Sequence, residues 1–298
     1  MSAPIDGATV RRLFNDPASV AGSDFLRREI ASRMHERLEL VKIAPQRVLD
    51  AGCGAGADLS LLQKDYPAAQ VIGIDAAAGM AAAAAARTPA PALRALNQML
   101  SRLMPARAGV DVLAGDFGNL PFAPNSIDLV WSNLALHWHP QPDRVFAEWR
   151  RVLRIDGLLM FSNFGPDTLR ELRRAYAEID EHPHVLPFVD MHDFGDQLVA
   201  AGFSTPVMDM ELIKVTYDSA ASLLADVRAL GGNPLATRAR GLRGRAAQQR
   251  LLAALEKGRD ASGKLVLSFE VIYGHAFRPA PRATAAGESI VRFQPRRP

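Results

Sequence analysis

The run Arg47-Val48-Leu49-Asp50-Ala51-Gly52-Cys53-Gly54-Ala55-Gly56 starts as a short apolar segment, reaches a carboxylate and then breaks into alternating glycines. Asp58-Leu59-Ser60-Leu61-Leu62 follows, with leucines at helical spacing. The pattern predicts a buried strand that ends at Asp50, a tight turn and the opening turn of a helix. Glycines at such a junction let the chain turn sharply, let backbone approach a ligand and let helix pack on strand. In an open α/β sheet, that strand-to-helix junction is where ligands bind.

The choice of ligand turns on neighbouring segments. Gly52-x-Gly54-x-x-Ala57 satisfies a loose dinucleotide fingerprint, which is weak alone. Asp50 sits directly before the turn, where a carboxylate would accept from an ammonium group and would repel a pyrophosphate. Gln70-Val71-Ile72-Gly73-Ile74 reads as a second strand ending in Asp75, placed to hold two ribose hydroxyls. Val110 to Ala114 reads as a third, followed by Gly115-Asp116-Phe117, which offers a carboxylate to an adenine amine and an aromatic face to its ring. A nucleoside carrying an amino acid and no phosphate fits this set, which points to S-adenosylmethionine. The cofactor-binding residues expected are Asp50, Gly52, Cys53, Gly54, Gly56, Asp75, Asp116, Phe117 and Asn133.

The glycine motif, Asp75, Gly115-Asp116-Phe117 and Ile127-Asp128-Leu129-Val130-Trp131-Ser132-Asn133 resemble the successive motifs of class I methyltransferases, over about half the chain. That resemblance implies a Rossmann-like, mostly parallel, doubly wound α/β sheet. Ser132 to Trp138, Phe164 to Arg173 and His184 to Asp193 are similar to the malonyl-acyl-carrier-protein O-methyltransferases of biotin synthesis. They also resemble methyltransferase-fold assembly factors of respiratory complex I, a likeness that implies hydroxylation of an arginine on a partner protein; Asp24-Phe25-Leu26-Arg27-Arg28-Glu29-Ile30 leans that way. The carboxyl methyltransferase family places a tyrosine in its N-terminal helix, whereas the first tyrosine here is Tyr66 and the nearby aromatics are Phe14 and Phe25.

Composition bounds the rest. The 298 residues suit one elaborated domain, and 48% hydrophobic with 22% charged residues are globular values. A net charge of +3 implies no nucleic-acid binding by itself. Cys53, the single cysteine, excludes an intramolecular disulfide and a cysteine metal site; inside the glycine turn it is a reactive thiol or simply a small residue that fits. No stretch reaches the ~18 apolar residues of a membrane span, so the expected location is cytoplasmic. One domain over 1–298 is expected, with an N-terminal helical segment at 1–45, a cofactor-binding core at 46–163, lid insertions with later core elements at 164–263, a last strand at 264–276 and a tail at 277–298.

Taken in order, Phe25, Leu26, Ile30, Met34, Leu38 and Val41 predict an amphipathic helix that either covers the cofactor mouth or simply packs. Helices are expected over 80–87, 93–103, 142–153, 167–179, 190–201 and 219–230. Strands are expected at 127–132, 158–162, 207–215 and 265–274. The elements after the fifth strand, and those between the sixth and seventh, are extra and can form a lid.

A carboxylate acceptor with a pKa near ~3.9 is ionised at neutral pH, so methyl transfer to it requires no general base, and no catalytic residue is assigned. It requires a cation or donor to hold it. The candidate substrate residues are His137 and Trp138 beyond the fourth strand, Arg170 on a helix face shared with Arg173, and His184 and Phe188 in the lid. Arg170 also reads as part of a solvated face. His182, His184 and His192 with Asp190 and Asp193 lack zinc-pair spacing, so no metal is expected. Arg238, Arg240, Arg243 and Arg245 form a basic run that would suit an acidic acyl carrier protein, or be a solvated helix; with no interleaved aromatic it does not suit a nucleic acid.

Overall fold

Seven strands form one sheet in the order β3-β2-β1-β4-β5-β7-β6 in the computed structural model, which describes residues 4–88, 109–238, 241 and 244–281. β1 (Arg47–Ala51), β2 (Gln70–Asp75), β3 (Val110–Ala114), β4 (Ile127–Asn133) and β5 (Leu153–Phe164) run parallel. β7 (Leu265–Phe277) returns antiparallel between β5 and β6 (Ser204–Tyr217). This is the doubly wound, mostly parallel sheet expected. The expected helix over 93–103, Arg240, Arg243 and most of the tail lie outside the described residues.

The central strands are covered on both faces, so β1, β2 and β4 bury apolar residues on either side, successive residues pointing to opposite faces, whereas the edge strand β6 alternates with exposed positions. Val48, Leu129, Trp131, Leu158 and Met160 join one buried cluster. Leu49, Val130, Leu159 and Phe161 join the other. On the first face lie α3 (Asp24–Glu39) and α4 (Ala57–Asp65), reached after two short helices, α1 (Gly7–Phe14) and α2 (Pro17–Val20). α5 (Ala78–Ala86) packs on β2 and β3. On the second face lie α6 (Pro142–Val152) and, after the helix α7 (Arg170–Ala177), α8 (Met191–Ala200). α9 (Ala220–Ala229) and α10 (Arg245–Glu256) lie between β6 and β7.

Three details differ from expectation. α3 buries Leu26, Ile30, Met34 and Leu38, one residue per turn, but Phe25 shares its row with Glu29 and Arg33 and is 48% exposed. β5 starts at Leu153, directly after α6, because Leu153 pairs with Ile127 before a register shift; Asp156, with φ +63°, lies inside the strand. α7 starts only at Arg170, because the preceding segment is pinned to β7: Asp167 N donates to Glu270 Oε2 (2.6 Å) and Thr168 Oγ1 to the Glu270 carbonyl (3.0 Å).

The N-terminal segment and the β6–β7 insertion meet over the carboxyl ends of the parallel strands. Asp6 N donates to the Pro234 carbonyl (3.0 Å), Ala236 N to that of Pro4 (2.8 Å), and Ser23 Oγ to that of Ala229 (2.8 Å). Two chain segments more than 200 residues apart in sequence thereby roof the edge where β1 and β4 end.

Candidate active site

The first cavity under this roof holds about 450 Å³ and is lined by every residue expected to bind cofactor except Gly56. Its floor is the glycine turn. Gly52 N and Cys53 N both donate to the Ile74 carbonyl (2.8 and 3.1 Å), which ties the turn to β2. Gly52 has φ +86°, and a Cβ there would lie 2.3 Å from Ala135 Cβ, so no other residue fits. Gly56, with φ +80°, ends the turn as the N-cap of α4.

Asp50 is 1% exposed and its Oδ2 has no hydrogen-bond partner. Burial, then the charges of Asp58 and Asp75, push its carboxyl well above the ordinary range. A buried acceptor without a donor is costly, and a ligand ammonium would satisfy it. Asp75 is oriented by backbone: Oδ2 accepts from Gly54 N (2.9 Å) and Oδ1 from Ala77 N (2.8 Å). A carboxylate has about four acceptor positions, so both oxygens keep capacity for ribose hydroxyls. Asp116 stands at the far end, its carboxyl held low chiefly by His139, 3.5 Å away. Phe117 is fixed by packing on Trp149 (6.0 Å between centroids) and on His139 (5.5 Å). Orphan anion, glycine cradle and aromatic wall fit the nucleoside-amino acid expected from the sequence.

Two of the expected residues line the cavity with side chains already engaged or buried. Asn133 lines the cavity, but its polar atoms are engaged by protein: Nδ2 donates to the Arg27 carbonyl and to Asp58 Oδ2 (both 3.1 Å), and Oδ1 accepts from Ser162 Oγ (2.7 Å). It braces the wall. Cys53 is buried and its thiol is pushed up by that burial and by nearby carboxylates, which favours the small-residue reading over a reactive thiolate.

A second cavity of about 580 Å³ adjoins the first, and Trp138 lines both. It brings together His137, Trp138, His184 and Phe188 from the expected substrate set, with Phe164, Leu172 and Tyr176. Arg170 is not among them. Its guanidinium pairs with Asp167 (3.0 Å) and Glu171 (3.3 Å), as part of the solvated helix face that was its other reading. Arg238 lines this cavity, and Arg245 opens α10.

His137 corrects an expectation. Its ring is part-buried among Trp138, Phe164 and Phe188, with centroids 4.8 to 5.6 Å away, at the wall of this cavity. Nδ1 lies 2.5 Å from Asn163 Oδ1, an oxygen that only accepts, so Nδ1 carries the proton and Nε2 is a bare acceptor without a partner. Burial drives its pKa down to about 3. His137 is therefore neither cation nor donor toward a carboxylate. His184 bonds Asp180 (2.7 Å) and stacks on Tyr176 (3.9 Å), as a rigid wall.

Phe14, Arg27, Asp58 and His139 line the first cavity without having been expected there. Asp58, in the first turn of the helix that follows the glycines, accepts from Trp131 Nε1 (3.0 Å). An acid at that position was the available signal. Phe14 meets Trp138 edge-on at 5.0 Å.

Residues 49–161 match a methyltransferase domain family. Over 98% of its length the chain is 47% identical to a malonyl-[acyl-carrier protein] O-methyltransferase of Laribacter hongkongensis, covering 97% of that protein. It is 45% identical to the same-named protein of Gallionella capsiferriformans, over 97% of this chain and 96% of that one. Among solved structures, the YcgJ protein of Bacillus subtilis (TM-score 0.56, 16% identity, 83% of this chain and 98% of that one) shares the fold. A putative methyltransferase of Bacillus halodurans does so too (TM-score 0.56, 15% identity, 84% and 100%).

Proposed function

This chain belongs to the malonyl-[acyl-carrier protein] O-methyltransferase family, and we propose that it methylates the free carboxylate of a malonyl group carried on acyl carrier protein, as a step of biotin synthesis. It is an S-adenosylmethionine-dependent methyltransferase. The observation that carries the reading is the match to these relatives across nearly their whole length, lid insertions included. The alternative, a complex I assembly factor, drew on Asp24 to Ile30; that segment opens α3, whose Asp24 and Arg27 line the cofactor cavity, and the full-length match does not favour it.

When bound, S-adenosylmethionine supplies an activated methyl group on a sulfonium sulfur. Asp50, Asp75, Asp116 and Phe117 would hold it in the first cavity, and the acyl group would occupy the second. Every remaining task of the protein is positional. The acceptor is ionised without help, and neutral His137, its one proton held on Asn163, neither protonates nor competes with it. Trp138, which lines both chambers, and Phe164 and Phe188 in the second give the acceptor side an apolar wall. Orientation of this kind supplies effective molarities of ~10⁵ M or more in well-aligned systems. Arg238, at the second cavity, and Arg245 are the described members of the basic run that would meet the acidic carrier.

The test is S-adenosylhomocysteine release by the purified protein with malonyl-acyl carrier protein, acetyl-acyl carrier protein or no acceptor. Release confined to the malonyl carrier and lost in Asp50→Ala supports the reading. Tight cofactor binding with no release on the malonyl carrier overturns it.

A further inference from the structure

The second chamber holds about 580 Å³, far more than a malonyl group fills, so it has room for the arm that carries the acyl group. Its wall contains a buried polar atom with no hydrogen-bond partner, His137 Nε2. Asn163 Oδ1 holds the ring's one proton on Nδ1 (2.5 Å), which leaves Nε2 a lone pair of fixed direction. The ring stands where the chambers meet. Trp138, the next residue, lines both, and the charge of Arg27, in the wall of the first chamber, reaches the ring. A buried acceptor left without a donor is costly, so the molecule that fills the chamber is expected to bring one.

The acyl end brings none. An ionised carboxylate and a thioester carbonyl only accept, and the Nε2 lone pair repels both. Along a pantetheine arm, the first donor after the thioester sulfur is an amide N–H two carbons away. We propose that His137 Nε2 accepts from this amide N–H of the carrier's arm. The bond holds the arm by its first amide and turns the acyl carboxylate away from the lone pair, toward the methyl donor in the first chamber. Trp138, Phe164 and Phe188, with centroids 4.8 to 5.6 Å from the ring, fix its plane and offer the arm's methylene groups an apolar track. His137 thereby sets how far the carboxylate reaches, a positioning role that rests on the carboxyl methyltransferase reading.

The experiment loads acyl carrier protein with either of two malonyl arms, the natural one and one in which an ester oxygen replaces that amide N–H, and measures methyl transfer by the wild type, His137→Phe and His137→Gln. The wild type is expected to use the amide arm with a kcat/KM about 10-fold or more higher, the range for leaving a buried acceptor unpaired. In His137→Phe the arms become equal, because the amide arm loses its advantage while the ester arm stays within about threefold of its wild-type value. His137→Gln, whose side-chain carbonyl accepts, keeps part of the preference. Nitrogen-15 spectra of the wild type with S-adenosylhomocysteine should show the His137 Nε2 resonance moving toward its hydrogen-bonded range with the amide arm and not with the ester arm, a readout that stands if His137→Phe does not fold. Equal use of both arms by the wild type, or equal loss on both in His137→Phe, overturns the proposal and leaves carboxyl methylation standing. Transfer to neither arm overturns carboxyl methylation, and this proposal with it.

Discussion

Asp50 is the residue on which most of the chemistry depends, and its burial has a pH signature. The folded protein holds its proton more tightly than the unfolded chain, so the unliganded protein loses stability as pH rises from the ordinary carboxylate range through the raised pKa. Binding an ammonium requires the ionised form, so affinity for S-adenosylhomocysteine is expected to rise with pH through the same window and to release a proton. Asp50→Asn removes both effects. Calorimetry should give an affinity about 10- to 100-fold lower, flat with pH, and an unliganded melting point at pH 7 equal to or above that of the wild type. His137 makes the opposite expectation. With its pKa near 3, the rate at saturating cofactor should show no inflection of histidine type between about pH 5.5 and 8; a step near 6.5 would contradict a buried neutral ring. Asp50, Asp75, Asp116 and Phe117 were legible because each closes a strand or its turn, and sequence order alone brings strand ends together at one edge. Arg27 was not, since its environment comes from Val20 and Ala229, two segments that no local pattern connects.

At the scale of elements, the glycine turn works because it is crowded. Gly52→Ala would force a Cβ against Ala135 and strain a backbone at φ +86°, costs of about 1–3 kcal/mol each. Its melting point should fall by several degrees, and cofactor binding should weaken more than stability alone explains, because the Asn133-Leu134-Ala135 turn moves with it. Normal binding by a folded Gly52→Ala would show that the turn is not the cradle. Gly231 separates the two roof segments in the same way: with φ +121°, a Cβ would lie 2.6 Å from Phe14 and 2.9 Å from Trp138. Gly231→Ala is expected to raise the KM for acceptor severalfold and to lower the melting point by several degrees, from the strain at that φ and the displaced rings. Strands and helices were legible from periodicity, and their ends were not, for tertiary reasons: β7 pins Thr168 and delays α7, and pairing with Ile127 starts β5 early. Phe25 misled because its hydrophobicity suggested a face that its helical row, shared with Glu29 and Arg33, denies it.

The molecule as a whole is two chambers with a shared wall at Trp138, roofed by segments from opposite ends of the chain. The sheet with its cofactor edge could be read from the sequence, since its motifs recur in fixed order. The second chamber could be anticipated only as lid insertions, because its volume arises from packing between α7, the 180–188 loop and the segment after α9. If the carrier docks beside this chamber, Arg238→Ala with Arg245→Ala should raise the KM for malonyl-acyl carrier protein about tenfold, more so at low salt, and leave malonyl-pantetheine nearly unaffected. An equal effect on both acceptors would place these arginines away from the carrier. No helix among the described residues is long and apolar enough to cross a membrane. The most direct measurement is a single turnover with S-adenosylmethionine labelled in its methyl group, followed by mass spectrometry of the carrier and its detached acyl group. The label should appear as a methyl ester on the malonyl carboxylate, with none on the carrier's own side chains. Label on the protein, or none transferred by a protein saturated with cofactor, would contradict carboxyl methylation as the function.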